Sequence, residues 1–254
     1  MSDVWRWSEL TRTHLTELLP GAVVAMATGA TEQHGPHLAT GTDALLATTV
    51  LERAAERYGM LPANRGAAGR PLILAPTMPF GASDHHLAFG GTISLRAETL
   101  LAVLIDICSS LSAVGAKRFL IVNGHGGNTG ICHAAAGAAA ARTGLIVAHV
   151  DYWSLLGADS SPLDPAAVPG HAGVFETSLV SAVRPDLVSD PPTRPEPPTT
   201  IEVAGLTVHA ARIWSDREGY TDSPAEGSAA TGRLQLDRLT AALATRLSAF
   251  AATA

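Results

Sequence analysis

The chain has 254 residues, of which 46% are hydrophobic, and this is enough for one large α/β domain with a substantial core. Seventeen basic residues against 23 acidic ones give a net charge of −6, and the sequence has no Lys- or Arg-rich run. This charge argues against a nucleic-acid or anionic-membrane partner, and small neutral or cationic ligands fit it more easily.

The cysteines and the N-terminal segment indicate the compartment. Cys108 and Cys132 both lie in apolar helical patterns, which predicts buried thiols rather than a disulfide framework or a cysteine metal site. The first seven residues lack a basic region followed by an apolar one, and no apolar run is long enough to span a bilayer. We therefore expect a soluble cytoplasmic protein that folds as a single domain over residues 1–254.

The first third of the chain predicts a β-loop-α unit. Residues 8–19 carry leucines on one side and predict a helix that covers a sheet. The Val-rich run 22–28 has no alternation, which predicts a central strand buried on both faces. Apolar residues recur at helical spacing over 43–58, and Gly59 predicts the end of that helix. The loop between strand and helix lies where α/β sheets usually hold their sites.

That loop, residues 31–43, combines carboxylates and imidazoles. Glu32 and His34 are two residues apart, so both side chains leave the same face of an extended segment. A carboxylate with an imidazole suits Zn²⁺ or Mn²⁺, and Asp43 could complete the site. The alternative is that Glu32 is a solvated acid and that His34 and His37 are ordinary polar loop residues.

A second polar loop follows the strand predicted over 72–78. It contains the adjacent residues Asp84, His85 and His86, which cannot all face one apolar layer. They therefore belong either to a site or to a surface loop. The following Ala/Leu/Ile stripe predicts a helix over 97–114, which Gly115 ends.

The third loop follows the clearest buried strand, residues 119–122, and precedes an alanine-rich helix that runs to about residue 142. Its glycines, on either side of His125, allow the backbone to approach a ligand closely. A glycine-rich turn before a helix also binds phosphate, but no Lys-Ser/Thr follows, so we favour a metal. A fourth strand, 145–151, leads to Trp153, which belongs either to the wall of a small-molecule pocket or to a core or interface.

The last third begins with a Pro/Gly/Asp-rich loop over 157–170. We expect His171 at the end of this loop and Glu176 pointing inward from the first turns of the following helix. The proline-dense segment 189–200 predicts an excursion over the surface. A late strand over 206–214, turns over 219–227 and an amphipathic helix over 229–250 complete the prediction.

Four strand ends thus bring acids or histidines to one edge of a mostly parallel sheet. Carboxylates and imidazoles without cysteine indicate a catalytic rather than a structural metal site. The number of candidate ligands is sufficient for two metal ions bridged by one carboxylate.

Four motifs together resemble the creatininase (creatinine amidohydrolase) family over about residues 5–250. They are Thr31-Glu32-Gln33-His34-Gly35-Pro36-His37, Gly91-Thr92-Ile93-Ser94-Leu95, Asn123-Gly124-His125-Gly126-Gly127-Asn128 and His171-Ala172-Gly173-Val174-Phe175-Glu176-Thr177-Ser178. The resemblance implies a three-layer α/β/α sandwich, often hexameric, with a two-metal Zn/Mn site that hydrolyses cyclic or otherwise unusual amide C–N bonds. It implies the ligands Glu32, His34, Asp43 and His125, with Asp43 bridging.

Two departures from creatininase proper bear on the substrate. Gly127 stands where that enzyme has a glutamate ligand, and Glu176 is the natural substitute, as in the family's glycine-containing branch. Trp153 matches one pocket tryptophan, but residues 166–170 hold no counterpart of the second. We therefore expect a polar ring substrate or a small formamide or amide ahead of creatinine. Other branches open a formamide in deazaflavin biosynthesis, trim a cofactor-precursor peptide or hydrolyse a keto-inositol ring.

The interpretation assigns roles to the remaining candidates. A metal-held water attacks a carbonyl while His171 passes the proton to the leaving nitrogen. Asp84, His85 and His86 bind polar groups of the substrate at the rim. A non-catalytic metal-dependent binding protein is the alternative. Trp5, Trp7 and alanine-rich helices predict exposed apolar surface, so we expect a homo-oligomer, a hexamer by resemblance.

Overall fold

The computed structural model describes residues 4–64, 69–156, 168–194, 201, 203, 205–206, 208–210 and 212–253. Within these residues the chain forms a five-stranded sheet in the order β1-β3-β2-β4-β5, and every pair of neighbours is parallel. The strands are Val4–Arg6 (β1), Val23–Thr28 (β2), Leu72–Leu74 (β3), Arg118–Asn123 (β4) and Ile146–Asp151 (β5).

Helices cover both faces of this sheet. Ser228 and Thr11 begin two of them, and each side-chain oxygen accepts a hydrogen bond from a backbone N–H of the first turn. No helix of the described residues is long and apolar enough to cross a membrane. The helices are Arg12–Leu18 (α1), Thr42–Met60 (α2), Ala97–Ala113 (α3), Thr129–Thr143 (α4), Val174–Val183 (α5), Arg212–Asp216 (α6) and Ala229–Ala251 (α7).

The uniform apolarity of β2 follows from its place between two helical layers. Val23, Ala25 and Ala27 pack into the core beneath α2, α5 and α7. Val24 and Met26 face the opposite core beneath α3 and α4. Burying a valine side chain contributes about 1.5–3 kcal/mol, so a strand covered on both faces gains from apolar residues at every position. The predicted α/β/α sandwich is confirmed.

Prolines move two predicted boundaries. The helix α2 continues through Gly59 to Met60 and ends because Leu61, which precedes Pro62, adopts an extended backbone. The strand β3 stops at Leu74 rather than residue 78, since Pro76 has no N–H to donate to the ladder. Pairing resumes only at the isolated bridge between Thr28 and Met78.

The prediction of a late strand over 206–214 is wrong. Leu206 pairs only with Val203 in an isolated bridge, and Arg212–Asp216 is a short helix. The apolar residues before it suggested a strand, but a polar stretch follows and Gly219 turns the chain with a φ of 76°. The sequence analysis also missed β1, whose three residues are too few to show a period. The first part of the segment predicted over 157–170 lies outside the described residues.

Candidate metal centre

The site lies at the carboxyl ends of β2 and β4, which are neighbours in register with Thr28 beside Asn123. The loops that follow these two strands therefore begin side by side. The Asn128 side chain ties them together, because its amide donates to the Gly29 carbonyl and its oxygen accepts from the Ala82 N–H, both at 3.0 Å. A Cβ on Gly124 would lie 2.6 Å from the Asp43 carbonyl oxygen, so only glycine permits this approach.

Asp43 lies between two imidazoles. Its Oδ1 is 3.0 Å from His34 Nε2, and its Oδ2 is 3.1 Å from His125 Nδ1. The first turn of α2 holds Asp43, and the extended loop after β2 holds His34. The backbone carbonyl of Glu32 lies 3.2 Å from His34 Nδ1 and orients the ring so that Nε2 faces the Asp43 carboxylate.

Three imidazoles converge on Glu32, and one of them is the His125 ring that also contacts Asp43. Its Oε1 is 3.2 Å from His125 Nδ1, 3.5 Å from His171 Nδ1 and 3.7 Å from His86 Nε2. The side chain is completely buried, and neither oxygen accepts a hydrogen bond. Since a buried carboxylate that accepts no hydrogen bond is costly, this arrangement fits a cation at the site.

Glu176 completes the ring of carboxylates from the first turn of α5. Its Oε2 accepts a hydrogen bond from the Ala172 N–H at 2.6 Å and lies 3.8 Å from His34 Nε2. The structure thus places Glu176 pointing inward and His171 just before the helix, as predicted.

The electrostatics divide the histidines into two groups. Burial works to lower the pKa of His34, but Asp43, Glu176 and Glu32 together raise it to about 10. Burial also opposes protonation of His125, yet Glu32 and Asp43 raise its pKa well above the ordinary value. The pKa of His171 is well below the ordinary value because it is buried and faces other imidazoles. A neutral imidazole therefore lies beside charged ones.

The donor atoms form groups of the size that a metal ion requires. The imidazole nitrogens and carboxylate oxygens of each group lie within 4.8 Å of one another. The N–O separations of 3.0–3.2 Å around Asp43 and Glu32 resemble those between two ligands of one ion with bonds of about 2.0–2.2 Å. The groups are Glu32/His34/His171, Glu32/His85/His125 and His34/Asp43/Glu176.

The three residues predicted at the rim separate in the structure. His86 is buried, and its ring stacks on His171 with centroids 4.3 Å apart. His85 stacks on His125 and offers a nitrogen to the same group of donors as Glu32. Asp84 is exposed and accepts a hydrogen bond from the Ser94 hydroxyl at 2.7 Å. The two histidines thus lie within the site rather than at its rim.

Two predicted candidates take other positions. Trp153 is half-buried and packs edge-on against Tyr152 at 5.4 Å, so its place in a pocket wall stays a prediction. His37 Nε2 lies 3.0 Å from the Thr177 hydroxyl, and burial lowers the pKa of His37 to about 4. This histidine joins the loop to α5 rather than facing the carboxylates.

The sequence analysis missed two residues of the site. Gln33 donates to the Gly219 carbonyl at 2.9 Å, and its amide nitrogen lies 2.8 Å from His86 Nδ1 and 2.9 Å from His171 Nε2. The Trp214 ring lies 4.6 Å from the His86 ring and 5.0 Å from the His171 ring. Residues 166–170 hold no second tryptophan, but the short helix α6 brings the Trp214 ring next to these histidines.

Comparisons with known proteins show the family of the chain. The creatininase family model, described as creatinine amidohydrolase, matches residues 8–247. The mycofactocin precursor peptide peptidase of Mycobacterium tuberculosis is 35% identical over 178 residues, which are 69% of this chain and 63% of that protein. The creatinine amidohydrolase of Pseudomonas putida is 34% identical over 190 residues, 70% of each chain. The matched part of this chain thus spans less than two thirds of the peptidase's length.

Solved structures extend the similarity over nearly the whole chain. A crystal structure of creatinine amidohydrolase superposes with a TM-score of 0.79 at 28% identity, covering 98% of both chains. A structure described as creatininase Mn gives a TM-score of 0.76 at 28% identity, covering 95% of this chain and 96% of the other. The chain belongs to the creatininase family.

Proposed function

We propose that this protein is a metal-dependent hydrolase that cleaves a C–N bond in a small polar substrate. The observation that carries the proposal is Glu32, a buried carboxylate without a hydrogen bond toward which three imidazoles converge. Oxygen and nitrogen donors without cysteine suit Zn²⁺ or Mn²⁺. Related structures described as creatininase Mn and as a Zn-Zn type creatininase variant support this choice of metals.

The arrangement around Asp43 supports two ions. His34 and Glu176 would hold one with Asp43 Oδ1, while Glu32 and His125 would hold the other with Asp43 Oδ2. Asp43 is the bridging ligand in this proposal, and His85 is close enough to join the second group. Bound divalent ions would supply a nucleophilic water at neutral pH and polarise the substrate carbonyl.

His171 is our candidate for the proton transfer. Its lowered pKa keeps the imidazole neutral and able to accept a proton. Glu32 lies 3.5 Å from its Nδ1 and would stabilise the imidazolium that forms. The backbone carbonyl of Gln33, 3.0 Å from His171 Nε2, holds the ring in place. From this position His171 would pass the proton to the leaving nitrogen.

The substrate is open within the C–N class. The peptidase and creatinine amidohydrolase relatives support a peptide bond or a cyclic amide, and a formamide is the alternative that the family resemblance adds. A relative from Thermotoga maritima described as 3-dehydro-scyllo-inosose hydrolase matches only 41% of this chain, at 27% identity. It gives weaker support for a ketocyclitol, which has no C–N bond and would place the reaction outside the C–N class.

We also propose that the protein is a cytoplasmic homo-oligomer, a hexamer by resemblance to its family. Exposed apolar side chains support association, among them Trp5, which is 37% exposed on the edge strand β1, and Ile93, which is 56% exposed. Light scattering at micromolar concentration should give a mass several times the 26.1 kDa of one chain. A mass of one chain would contradict this proposal.

Metal removal and restoration test the function. Chelated protein should be inactive on a panel of creatinine, a formamidopyrimidine, a ketocyclitol and a short peptide, and Zn²⁺ or Mn²⁺ should restore turnover of one of them. His125→Ala should lose metal and activity together. A His125→Ala protein that kept both two ions and full turnover would refute the assignment, and metal without any turnover would favour a binding protein.

A further inference from the structure

The segment that contains α6 lies directly over the histidines of the site. Trp214 contacts three of them, with ring centroids 4.6 Å from His86, 5.0 Å from His171 and 5.7 Å from His85. The indole is half-buried, so part of it stays accessible to solvent while its ring contacts the site. An aromatic ring in this position can contact a substrate that enters the site.

Contacts to the site itself fix this segment. The Gly219 carbonyl accepts a hydrogen bond from the Gln33 amide, and a Cβ at this position would lie 2.4 Å from Gln33 Oε1. Arg194 Nη2 donates to the Arg217 carbonyl at 2.8 Å from the other side. The backbone that carries Trp214 and Arg217 is thereby held against the residue that orients His171.

Arg217 adds a positive charge to this wall. Its guanidinium carbon lies 5.7 Å from the centre of the Trp214 ring. Its Nε is buried and has no hydrogen-bond partner, and the ion pairs of the described residues include none to Arg217. The Nε of Arg194 also lacks a hydrogen-bond partner, but the Arg194 guanidinium lies 3.6 Å from the Glu218 carboxylate, so its charge is paired.

We propose that Trp214 and Arg217 form a specificity wall for a substrate that carries a carboxylate beside a planar group. The indole stacks on the planar group, and the guanidinium binds the carboxylate through paired N–H donors. The inference rests on the proposed hydrolase and adds the charge of its substrate. Arg217 has no carboxylate partner among the described residues, so its guanidinium is available to pair with a carboxylate of the substrate.

The test uses two probes that differ by one charge, N-acetylglycylphenylalanine and its C-terminal amide. The kcat and KM of both are measured with the metal-loaded protein, and their affinities are measured by calorimetry with the metal-free protein, where no ion can bind the carboxylate. The variants are Arg217→Gln, Arg217→Lys, Trp214→Phe and Trp214→Ala. Arg233→Gln, at an exposed position of α7, is the matched control.

The wild type and Arg233→Gln should bind the acid about tenfold more tightly than the amide, which is what one charged hydrogen-bonded pair contributes to affinity. Arg217→Gln should remove the preference, mainly through KM, and Arg217→Lys should keep part of it. Trp214→Ala should weaken both probes by about tenfold, and Trp214→Phe should weaken them less.

Equal affinity of the wild type for the two probes, or an unchanged preference in Arg217→Gln, would overturn the carboxylate assignment. Unchanged binding in Trp214→Ala, with a melting temperature like that of the wild type, would overturn the role of the indole. Because the calorimetry needs no metal, these outcomes are independent of whether the loaded protein hydrolyses any substrate.

Discussion

The floor and the cover of the site are built in different ways. The floor consists of three buried carboxylates, Glu32, Asp43 and Glu176, held by a loop beside β2 and by the first turns of two helices. The cover consists of Trp214 and Arg217, which are half-buried and belong to or follow a five-residue helix. Rigid elements place groups more accurately than short surface segments, so we assign the chemistry to the floor and selectivity to the cover.

The largest expected effect comes from neutralising the floor. Glu32→Gln keeps the shape of the side chain but removes the anion toward which three imidazoles converge. We expect bound metal to fall below two ions per chain and turnover to fall about a thousandfold or more. Metal analysis and steady-state kinetics measure the two effects.

Glu17→Gln, at an exposed position of α1, is the control and should change neither quantity. Full metal content and full turnover in Glu32→Gln would place the chemistry elsewhere and remove the distinction between floor and cover.

A smaller effect tests how tightly the backbone of the floor is packed. Gly124→Ala places a Cβ 2.6 Å from the Asp43 carbonyl oxygen and 2.8 Å from the Ala47 side chain. Relieving this overlap should cost about 1–3 kcal/mol in free energy of unfolding and move Asp43, so activity should fall as well. Chemical denaturation and kinetics measure both.

The matched control is Gly137→Ala in the middle of α4, where an added Cβ meets nothing within 4 Å. Alanine there should raise the free energy of unfolding by about 1 kcal/mol, because it is the better helix former, and leave activity unchanged. Equal stability of the two variants would show that the floor backbone can adapt.

The difference between floor and cover also explains which residues of the site could be predicted from the sequence. Glu32, His34 and His125 could be predicted because they lie in loops that follow strands whose apolar runs are visible, and Asp43 begins the helix after the first of these loops. Parallel strands bring their carboxyl ends to one edge of the sheet. Trp214 could not be identified, since its contacts with histidines more than 40 residues away depend on how the chain returns over the sheet. A lone tryptophan in a polar stretch was its only local signal.

The smallest expected effect is the number of protons released when metal binds, which should depend on residues of the floor and not on those of the cover. In the metal-free protein burial raises the pKa of Glu176 to about 8. Asp43 and its neighbouring carboxylates overcome burial and raise the pKa of His34 to about 10. Both groups are therefore mainly protonated at pH 7.5, whereas a metal ligand must be an ionised carboxylate or a neutral imidazole.

Loading with Zn²⁺ at pH 7.5 should consequently release about two to three protons per chain, the third from His125, whose pKa is also raised. The apparent affinity should rise with pH, with a slope that decreases once Glu176 ionises near pH 8 and again near pH 10. Calorimetry in two buffers of different ionisation enthalpy gives the number of protons released.

Glu176→Gln should release about one proton fewer, whereas Arg217→Gln, which alters only the cover, should release the wild-type number. Zero release in the wild type would mean that the floor is already deprotonated before metal arrives, and an altered count in Arg217→Gln would mean that the cover takes part in holding the metal.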